Sequence, residues 1–389
     1  MMATSSCDKV IKNTDLVTNI LLRLPAKDVT RSKCVSKQWL SLISNPWFCH
    51  SHTHTSSPSS LWVRNSRIVS LTHQSQVRTY LPFDVDEIVK WSDEGPFIEI
   101  MQSCNGLLLC KSLLFDGRVG CATCRYLVKN PVTEKLLILP SPPKIKSYYY
   151  QVGHDDFEKI AAVYLDFDPL RSFYFKVISI VKLPTGGADS GKFRIYVYSS
   201  ETHSWDKGEV FFTASPDMKI DSGVYCNGAI HWCTPGEVSM YFDVHEQCFK
   251  PLPEPSFKKT RSDACIVVKY FGEFKGNLHL VLTEGDSKLD FDVFKLKEDY
   301  CSWVRIYHVD LNLARDAFFT NIPSFHVVCV VLEGNEEDWM IVFLVDSKMV
   351  SYNLKDHASR IVHEVDFITE YHVIRKSFHQ YFETICNVP

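Results

Sequence analysis

Apolar residues fall at helical spacing in one short stretch near the N-terminus. Leu16, Ile20 and Leu24 recur every four residues, Val17 and Leu21 widen the stripe, and Asn13, Thr14 and Asp15 are capping types just ahead of it. This pattern predicts a helix that Pro25 ends. A second helix is expected from Lys27 or Asp28 to Val35. A third should run from Ser36, a natural N-cap, to Ser44, with Trp39, Leu40 and Ile43 inward and Asn45 and Pro46 as its stop. Three short helices in about 35 residues fall below the ~40 residues at which a lone domain usually becomes stable, so the unit should pack against a partner.

The pattern then changes twice. Residues 49–60 read CHSHTHTSSPSS, polar and small with no periodic apolar face, and the expected linker occupies 51–60. From Leu61 onward, short runs rich in Val, Ile, Tyr and Phe alternate with Gly, Pro, Asn and Asp, which predicts strands and turns. Later segments with helical promise, such as Asn312 to Phe319, are short. That excludes a parallel sheet with crossover helices.

A loose repeat runs through the strands: an apolar strand, a polar turn, then an aromatic or apolar residue opening the next strand. Its turns start at Asn130, Ser199, Asp243, Lys297 and Asn353. Their spacing is near the ~50-residue period of kelch-type blades, and the wide first gap leaves room for an extra strand pair around Phe167, Asp168 and Pro169. A second cue is Asn-Gly before apolar residues, at Cys104 to Cys110 and Cys226 to Trp232, with the reversed Gly276, Asn277; such pairs make tight hairpins. The expected fold is therefore mainly β, a kelch-like β-propeller over residues 61–389 preceded by a small three-helix unit. At ~45 to 50 residues per blade the ring would hold about six to seven. Its ends should meet, with Leu61 to Val63 and Tyr381 to Ile385 as the first and last strands.

Charge and composition narrow the function. Lys plus Arg is 42 and Asp plus Glu 46, a net charge of −4, which argues against a nucleic-acid binder relying on a global basic field. Residues 1–50 nevertheless carry seven basic against three acidic side chains. The longest apolar runs, such as Val327 to Leu332, are far shorter than the ~20 residues that span a bilayer, so no membrane segment is expected. Asp8, Lys9, Lys12, Asn13 and Asp15 interrupt any signal-peptide core, and fourteen cysteines then read as small buried hydrophobes of a reducing compartment, cytosol or nucleus.

Candidate chemistry is sparse. His50, His52 and His54 alternate, but a Ser-rich linker gives neither rigid geometry nor supporting partners for a metal. Cys121 and Cys124 have half of a zinc-site spacing without a second pair, so neither metal nor cofactor is expected. The spacings GxSxG, HExxH, GxxxxGK[ST] and GxGxxG are absent from the sequence. Gly186, Gly187 and Gly191 read as a hairpin tip, Asp155, Asp156 and Glu158 as a solvated charge run, and Lys258, Lys259 and Arg261 as a weak basic cluster. No catalytic constellation emerges.

Asp15, Leu16, Ile20, Leu24, Pro25, Cys34, Val35, Ser36, Lys37 and Trp39, followed by Leu42, Ile43, Asn45, Pro46 and Phe48, resemble an F-box over residues 10–50. Lys12 and Asn13 stand where that family usually opens with Leu-Pro. The remainder resembles the plant F-box-associated domain through SCNGLLL at 103–109, Asn130, Pro131, Leu139, Pro140, Phe167 to Pro169, VYCNGAIHW at 224–232 and Tyr241 to Asp243. The resemblance implies a non-catalytic substrate receptor of an SCF-type cullin-RING ubiquitin ligase. The head would bind a Skp-type adaptor, and through it cullin, by Leu16, Ile20, Leu24, Pro25, Val29, Val35, Trp39 and Ile43, some of which also hold the helices together. The β domain would hold a target protein on loops far from the head. Tyr148 to Tyr150, Asp155 to Phe157 and Glu333 to Trp339 place aromatics beside polar residues, which nominates Tyr149 and Trp339 as target contacts. A propeller enzyme and an F-box scaffold that does not ubiquitinate are the two other classes open at this point.

Overall fold

The computed structural model describes residues 13–55, 60–63, 67–70, 77–79, 97–116, 121–143, 145, 158–184, 191–215, 217–234, 239–257, 265–285, 289–311, 325–332, 339–345, 348–364 and 378–386. Among the described residues the head contains four helices rather than three: α1 (Thr14–Leu21), α2 (Ala26–Ser32), α3 (Lys37–Ile43) and α4 (Pro46–Thr55). Asn13 caps α1 by accepting from the backbone N–H of Asp15 and Leu16, and Ser36 caps α3 by accepting from Trp39.

The expected stop at Asn45 and Pro46 is also a start. Proline lacks the N–H that the first helical turn leaves unpaired anyway, and the Asn45 side chain accepts from Trp47 N at 2.9 Å. Helix α4 therefore runs to Thr55 through the first half of the expected linker. Leu40, expected inward, is exposed.

The β domain opens with β1 (Ser60–Val63), β2 (Arg67–Ser70) and β3 (Val77–Thr79). Five sheets of consecutive antiparallel strands follow. The first holds β4 (Phe97–Cys104), β5 (Leu107–Asp116), β6 (Cys121–Asn130) and β7 (Lys135–Ile138). The second holds β8 (Lys159–Asp166), β9 (Lys176–Lys182), β10 (Gly191–Ser199), β11 (Ser204–Trp205) and β12 (Val210–Ala214). The third comprises β13 (Val224–Cys226), β14 (Ala229–Trp232), β15 (Met240–Asp243) and β16 (Cys248–Pro251). In the fourth are β17 (Ile266–Phe274), β18 (Asn277–Glu284), β19 (Asp290–Leu296) and β20 (Trp303–Asp310); in the fifth, β21 (His326–Leu332), β22 (Trp339–Val345), β23 (Lys348–Asn353) and β24 (Ser359–Glu364).

The last strand, β25 (Phe378–Tyr381), pairs with β1, placing Trp62 opposite His379, so the two ends of the chain share one sheet in the order β25-β1-β2-β3. First strands touch in the succession β25, β4, β8, β13, β17, β21, and the Gln380 amide reaches the Val330 carbonyl to link the last of these to β25. The result is a β-propeller.

Its blade count corrects the six to seven expected from length. Five sheets carry the repeat, and the remaining strands join the chain ends in a sixth sheet without it. The first strands of those five begin at Phe97, Lys159, Val224, Ile266 and His326, and three of the four intervals exceed the assumed ~50 residues. No extra strand pair forms around Phe167 to Pro169, which belong to the turn from β8 to β9.

The repeat itself has one structural meaning. All five turns join the third strand of a sheet to the fourth. The side chains of Asn130, Asp243 and Asn353 each accept two backbone N–H groups from two and three residues on, which is why Asn or Asp stands there. Each turn ends on a left-handed residue: Glu134, His203, Gln247, Tyr300 or His357. The second cue marks the first hairpin of three sheets: Asn105-Gly106 and Asn227-Gly228 hold both central residues at positive φ, as a two-residue hairpin turn demands, whereas in the third the central pair is Lys275-Gly276 and not the expected Gly276-Asn277, since Asn277 opens β18. Neighbouring sheets are pinned by fourth-strand tryptophans: Trp205 Nε1 donates to the Pro140 carbonyl and Trp303 Nε1 to Pro253.

Candidate functional site

The head has two faces. Val17, Leu21, Ala26, Val29, Ile43, Phe48 and Cys49 are buried in a single cluster with Cys104, Leu107, Val128, Phe167 and Phe175 of the first two blades and with Ile385 and Cys386. Each large side chain so buried contributes about 1.5–3 kcal/mol. The partner that the small helical unit needs is thus, on this face, its own propeller.

The opposite face is apolar and open. Leu16 is 46% exposed, Ile20 49%, Leu24 36%, Val35 63%, Leu40 47% and Trp47 57%, and Pro25 is exposed beside them. Of the eight residues nominated for the adaptor, Leu16, Ile20, Leu24, Pro25 and Val35 lie on this face, Trp39 is half-buried, and Val29 and Ile43 are interior. Helical phase alone could not separate them, because both faces are apolar. Leu40 and Trp47 join the exposed set.

The joint between head and ring is built by residues 382–386. Asn130 Nδ2 donates to the Thr384 and Cys386 carbonyls at 3.1 and 2.5 Å. From the head, Lys33 Nζ donates to the Ile385 carbonyl at 3.3 Å and the Thr53 hydroxyl to that of Thr384 at 3.1 Å. Gly106 lets this segment lie close, since a Cβ there would collide with Thr384. His52, read in the sequence as part of an exposed His-rich linker, is buried on α4 with Nε2 2.8 Å from the Leu24 carbonyl.

In a four-stranded meander the first and third turns share one end of the blade. The Gly106 and Asn130 turns beneath the head therefore lie on the same face of the ring as the turn from β8 to β9. That turn presents Leu170, Phe173 and Tyr174, each between 41% and 52% exposed, together with exposed Arg171. Sequence reading passed it over, although the run Phe173-Tyr174-Phe175 beside Arg171 was a visible signal.

Tyr149, Tyr148 to Tyr150 generally, and Asp155 to Phe157 lie outside the described residues. So do residues 333–338, and with them most of the third nominated stretch. Trp339 is corrected: it opens strand β22 half-buried, its ring 5.0 Å from His279 and 6.3 Å from Phe274, and is not an exposed loop anchor. Asp155, Asp156, Lys258, Lys259, Arg261, Gly186 and Gly187 also lie outside the described residues. Glu158 pairs with Arg194 at 3.7 Å, and Cys124 is buried in β6. Among the described residues no three His, Cys, Asp or Glu side chains gather as metal ligands, and no helix is long and apolar enough to cross a membrane.

Half-buried and buried ionisable groups lie on the first and second strands of the blades. Tyr225 donates to the Asp166 carboxylate at 2.5 Å, and burial pushes that carboxyl up. Burial also pushes the Glu273 carboxyl up to about 7, its contact being the Gly276 N–H at 2.6 Å. His231, stacked between Tyr241 and Tyr300, is held down at about 4 by burial.

Comparison with known proteins matches the chain to two family models: the F-box domain over residues 13–51 and the F-box associated beta propeller domain over residues 59–387. An F-box protein of Arabidopsis thaliana is 28% identical, the match covering 91% of this chain and 86% of that protein. A putative F-box/kelch-repeat protein of the same plant is 24% identical, covering 80% and 74%, and the Arabidopsis F-box protein CPR1 is 22% identical, covering 88% and 81%. Among solved structures, YCF48 bound to D1 peptide is similar at a TM-score of 0.33 and 8% identity, covering 78% of this chain and 76% of that one, too distant to carry an argument.

Proposed function

We propose, from the premise that this chain belongs to the F-box proteins with an F-box-associated β-propeller domain, that it is the substrate-recognition subunit of an SCF-type cullin-RING ubiquitin ligase. The head binds a Skp-type adaptor, the propeller holds a target protein, and the chain itself does no covalent chemistry. The observation that carries this reading is the exposed face of Leu16, Ile20, Leu24, Pro25, Val35, Leu40 and Trp47. The head's buried side is already satisfied by its own ring, and a set of large apolar side chains left exposed on a small helical unit is what a partner interface requires. The excess of basic over acidic residues at 1–50 suits an acidic partner and favours rapid association.

The target side is nominated from exposure and chemistry. Leu170, Phe173 and Tyr174 combine aromatic anchors with the adjacent Arg171, the residue types that dominate interface energetics. The reading also assigns the protein to the cytosol or the nucleus.

Adaptor capture by Leu24→Ala combined with Pro25→Ala tests it. Both side chains are exposed, so the thermal transition should survive while capture by a Skp-type adaptor is lost. Undiminished capture overturns the assignment. Cullin recovered with the full chain separates a ligase receptor from a scaffold acting in another complex.

A further inference from the structure

The Asn-Gly hairpin of the third blade is held from both sides. Arg171, in the turn from β8 to β9, lies over Gly228 so closely that a Cβ there would stand 2.3 Å from Nη1. On the other side, the Asn227 side-chain amide donates to the Gly276 carbonyl at 2.8 Å and fixes the turn from β17 to β18, whose first central residue is Lys275. Three neighbouring blades thus present one connected run of turns, with an arginine towards one end and a lysine at the other. Both cations are exposed. Beside Arg171 the run also carries the exposed Leu170, Phe173 and Tyr174.

The carboxylates of the same turns are recessed and engaged. Asp168, 25% exposed against 60% for Arg171, accepts from the Leu170 N–H at 2.9 Å and pairs with Arg171 Nε at 3.4 Å. Asp166 accepts from the Tyr225 hydroxyl and Glu273 from the Gly276 N–H, and both carboxyls are half-buried. The bond to Asp168 and the seat on Gly228 hold the guanidinium in one place, so less freedom is lost when its fork takes a ligand. Lys275 Nζ lies 5.8 Å from the Phe274 ring, and no carboxylate among the described residues pairs with it. The charge this run turns outward is therefore positive, although the chain as a whole carries −4.

We propose that this run of turns recognises an acidic segment of the target protein. One carboxylate sits on the Arg171 fork, a second lies towards Lys275, and an apolar or aromatic side chain packs on Leu170, Phe173 and Tyr174. Guanidinium and carboxylate are both planar and match in geometry, and such charge-assisted bonds are stronger than neutral ones. The exposed aromatics supply the apolar contact that a charge pair at a wet surface lacks. A basic segment would meet two outward cations, with the nearby carboxylates already bonded, so charge selects against it. This inference rests on the reading of the propeller as a target receptor and names the chemistry of what it receives.

Selection from a bead-displayed library of short random peptides on the immobilised full-length chain tests it. Retained sequences should be enriched in Asp and Glu together with Phe, Trp, Tyr or Leu, and added salt should release them. A retained peptide, resynthesised with a fluorophore, should bind Arg171→Ala about tenfold and Lys275→Ala about threefold more weakly than the wild type. The charge-reversed chain with Arg171→Glu and Lys275→Glu should retain basic peptides instead, a gain that a misfolded chain would not show. Peptide binding is read without the adaptor and adaptor capture without the peptide, so failure of this inference and failure of the ligase reading are told apart. Enrichment of Lys- and Arg-rich sequences by the wild type, binding indifferent to both alanine variants, or the absence of any enriched sequence overturns the proposal.

Discussion

Several side chains in the ring are held in charge states that water would not choose. His231 and His279 sit in the interior, where burial keeps each imidazole neutral down to about pH 4. The unfolded chain takes up those protons near 6.5, so between about 6.5 and 4 it binds more protons than the folded chain. The stability these residues allow is complete above 6.5 and is lost as pH falls towards 4, by up to about 3 kcal/mol each. Urea titrations from pH 7.5 to 4.5 should show that decline, and His279→Phe, which keeps a ring against Trp339, should flatten it; an unchanged slope would count against the assignment. Glu273 works in the opposite direction. Its folded value of about 7 lies above the unfolded one, so what it contributes is present below about 4.5 and is lost as pH rises through 7. Glu273→Gln keeps an acceptor for the Gly276 N–H and should therefore stabilise the protein by ~1–2 kcal/mol at pH 8, with no gain at pH 4. The figure is kept below the full shift because the side chain is only half-buried.

At the level of elements, identical turns carry unequal loads. Asn130 and Asn353 both organise the turn between third and fourth strands, but Asn130 alone of the two also donates to the carbonyls of residues 384 and 386. Asn353→Ala should cost about 1 kcal/mol, the worth of the lost turn bonds. Asn130→Ala also strands buried carbonyls and should cost roughly 2–4 kcal/mol, read from urea midpoints. Equal losses would mean that residues 382–386 are held by something else. Gly106 and Gly285 form a second matched pair, with φ of 85° and 80°. Alanine strains both by about 1 kcal/mol, whereas at Gly106 it also collides with Thr384 and the Phe382 carbonyl; Gly106→Ala should be the more damaging by a clear margin in melting temperature.

For the whole molecule, head and ring share one core and should unfold as one cooperative body. The head's buried face shares its core with the first two blades, so a chain trimmed to 61–389 would expose Cys104, Leu107, Phe167 and Phe175 and should lose stability instead of standing alone as a binding module. Deletion of residues 371–389 removes β25 and, with it, both the partner of β1 and the acceptors that hold the head. Such a chain should aggregate through the bared edge and show a protease-sensitive head. A soluble monomer with an intact thermal transition would show that neither closure nor docking depends on the C-terminal segment.

What was legible in the sequence is what local rules enforce. Capping by Asn13 and Ser36, the Asx turns at Asn130, Asp243 and Asn353, and the left-handed Asn-Gly hairpins each depend on a few consecutive residues, so their positions could be read directly. The dual role of Asn45-Pro46 was local as well, but the same two residues satisfy a stop and a start, and only the apolar packing of α4 against the ring selects helix over linker. Apart from the meeting of the two chain ends in one sheet, what joins distant parts escaped. Which apolar residues of the head face inward, why Trp339 is a packing residue, and how residues 382–386 bridge Asn130 to Lys33 and Thr53 depend on surfaces brought together from separate elements of the chain. Burial and hydrogen bonding between such surfaces leave no periodicity in the chain, because their partners are chosen by the closure of the ring and not by the spacing of neighbours.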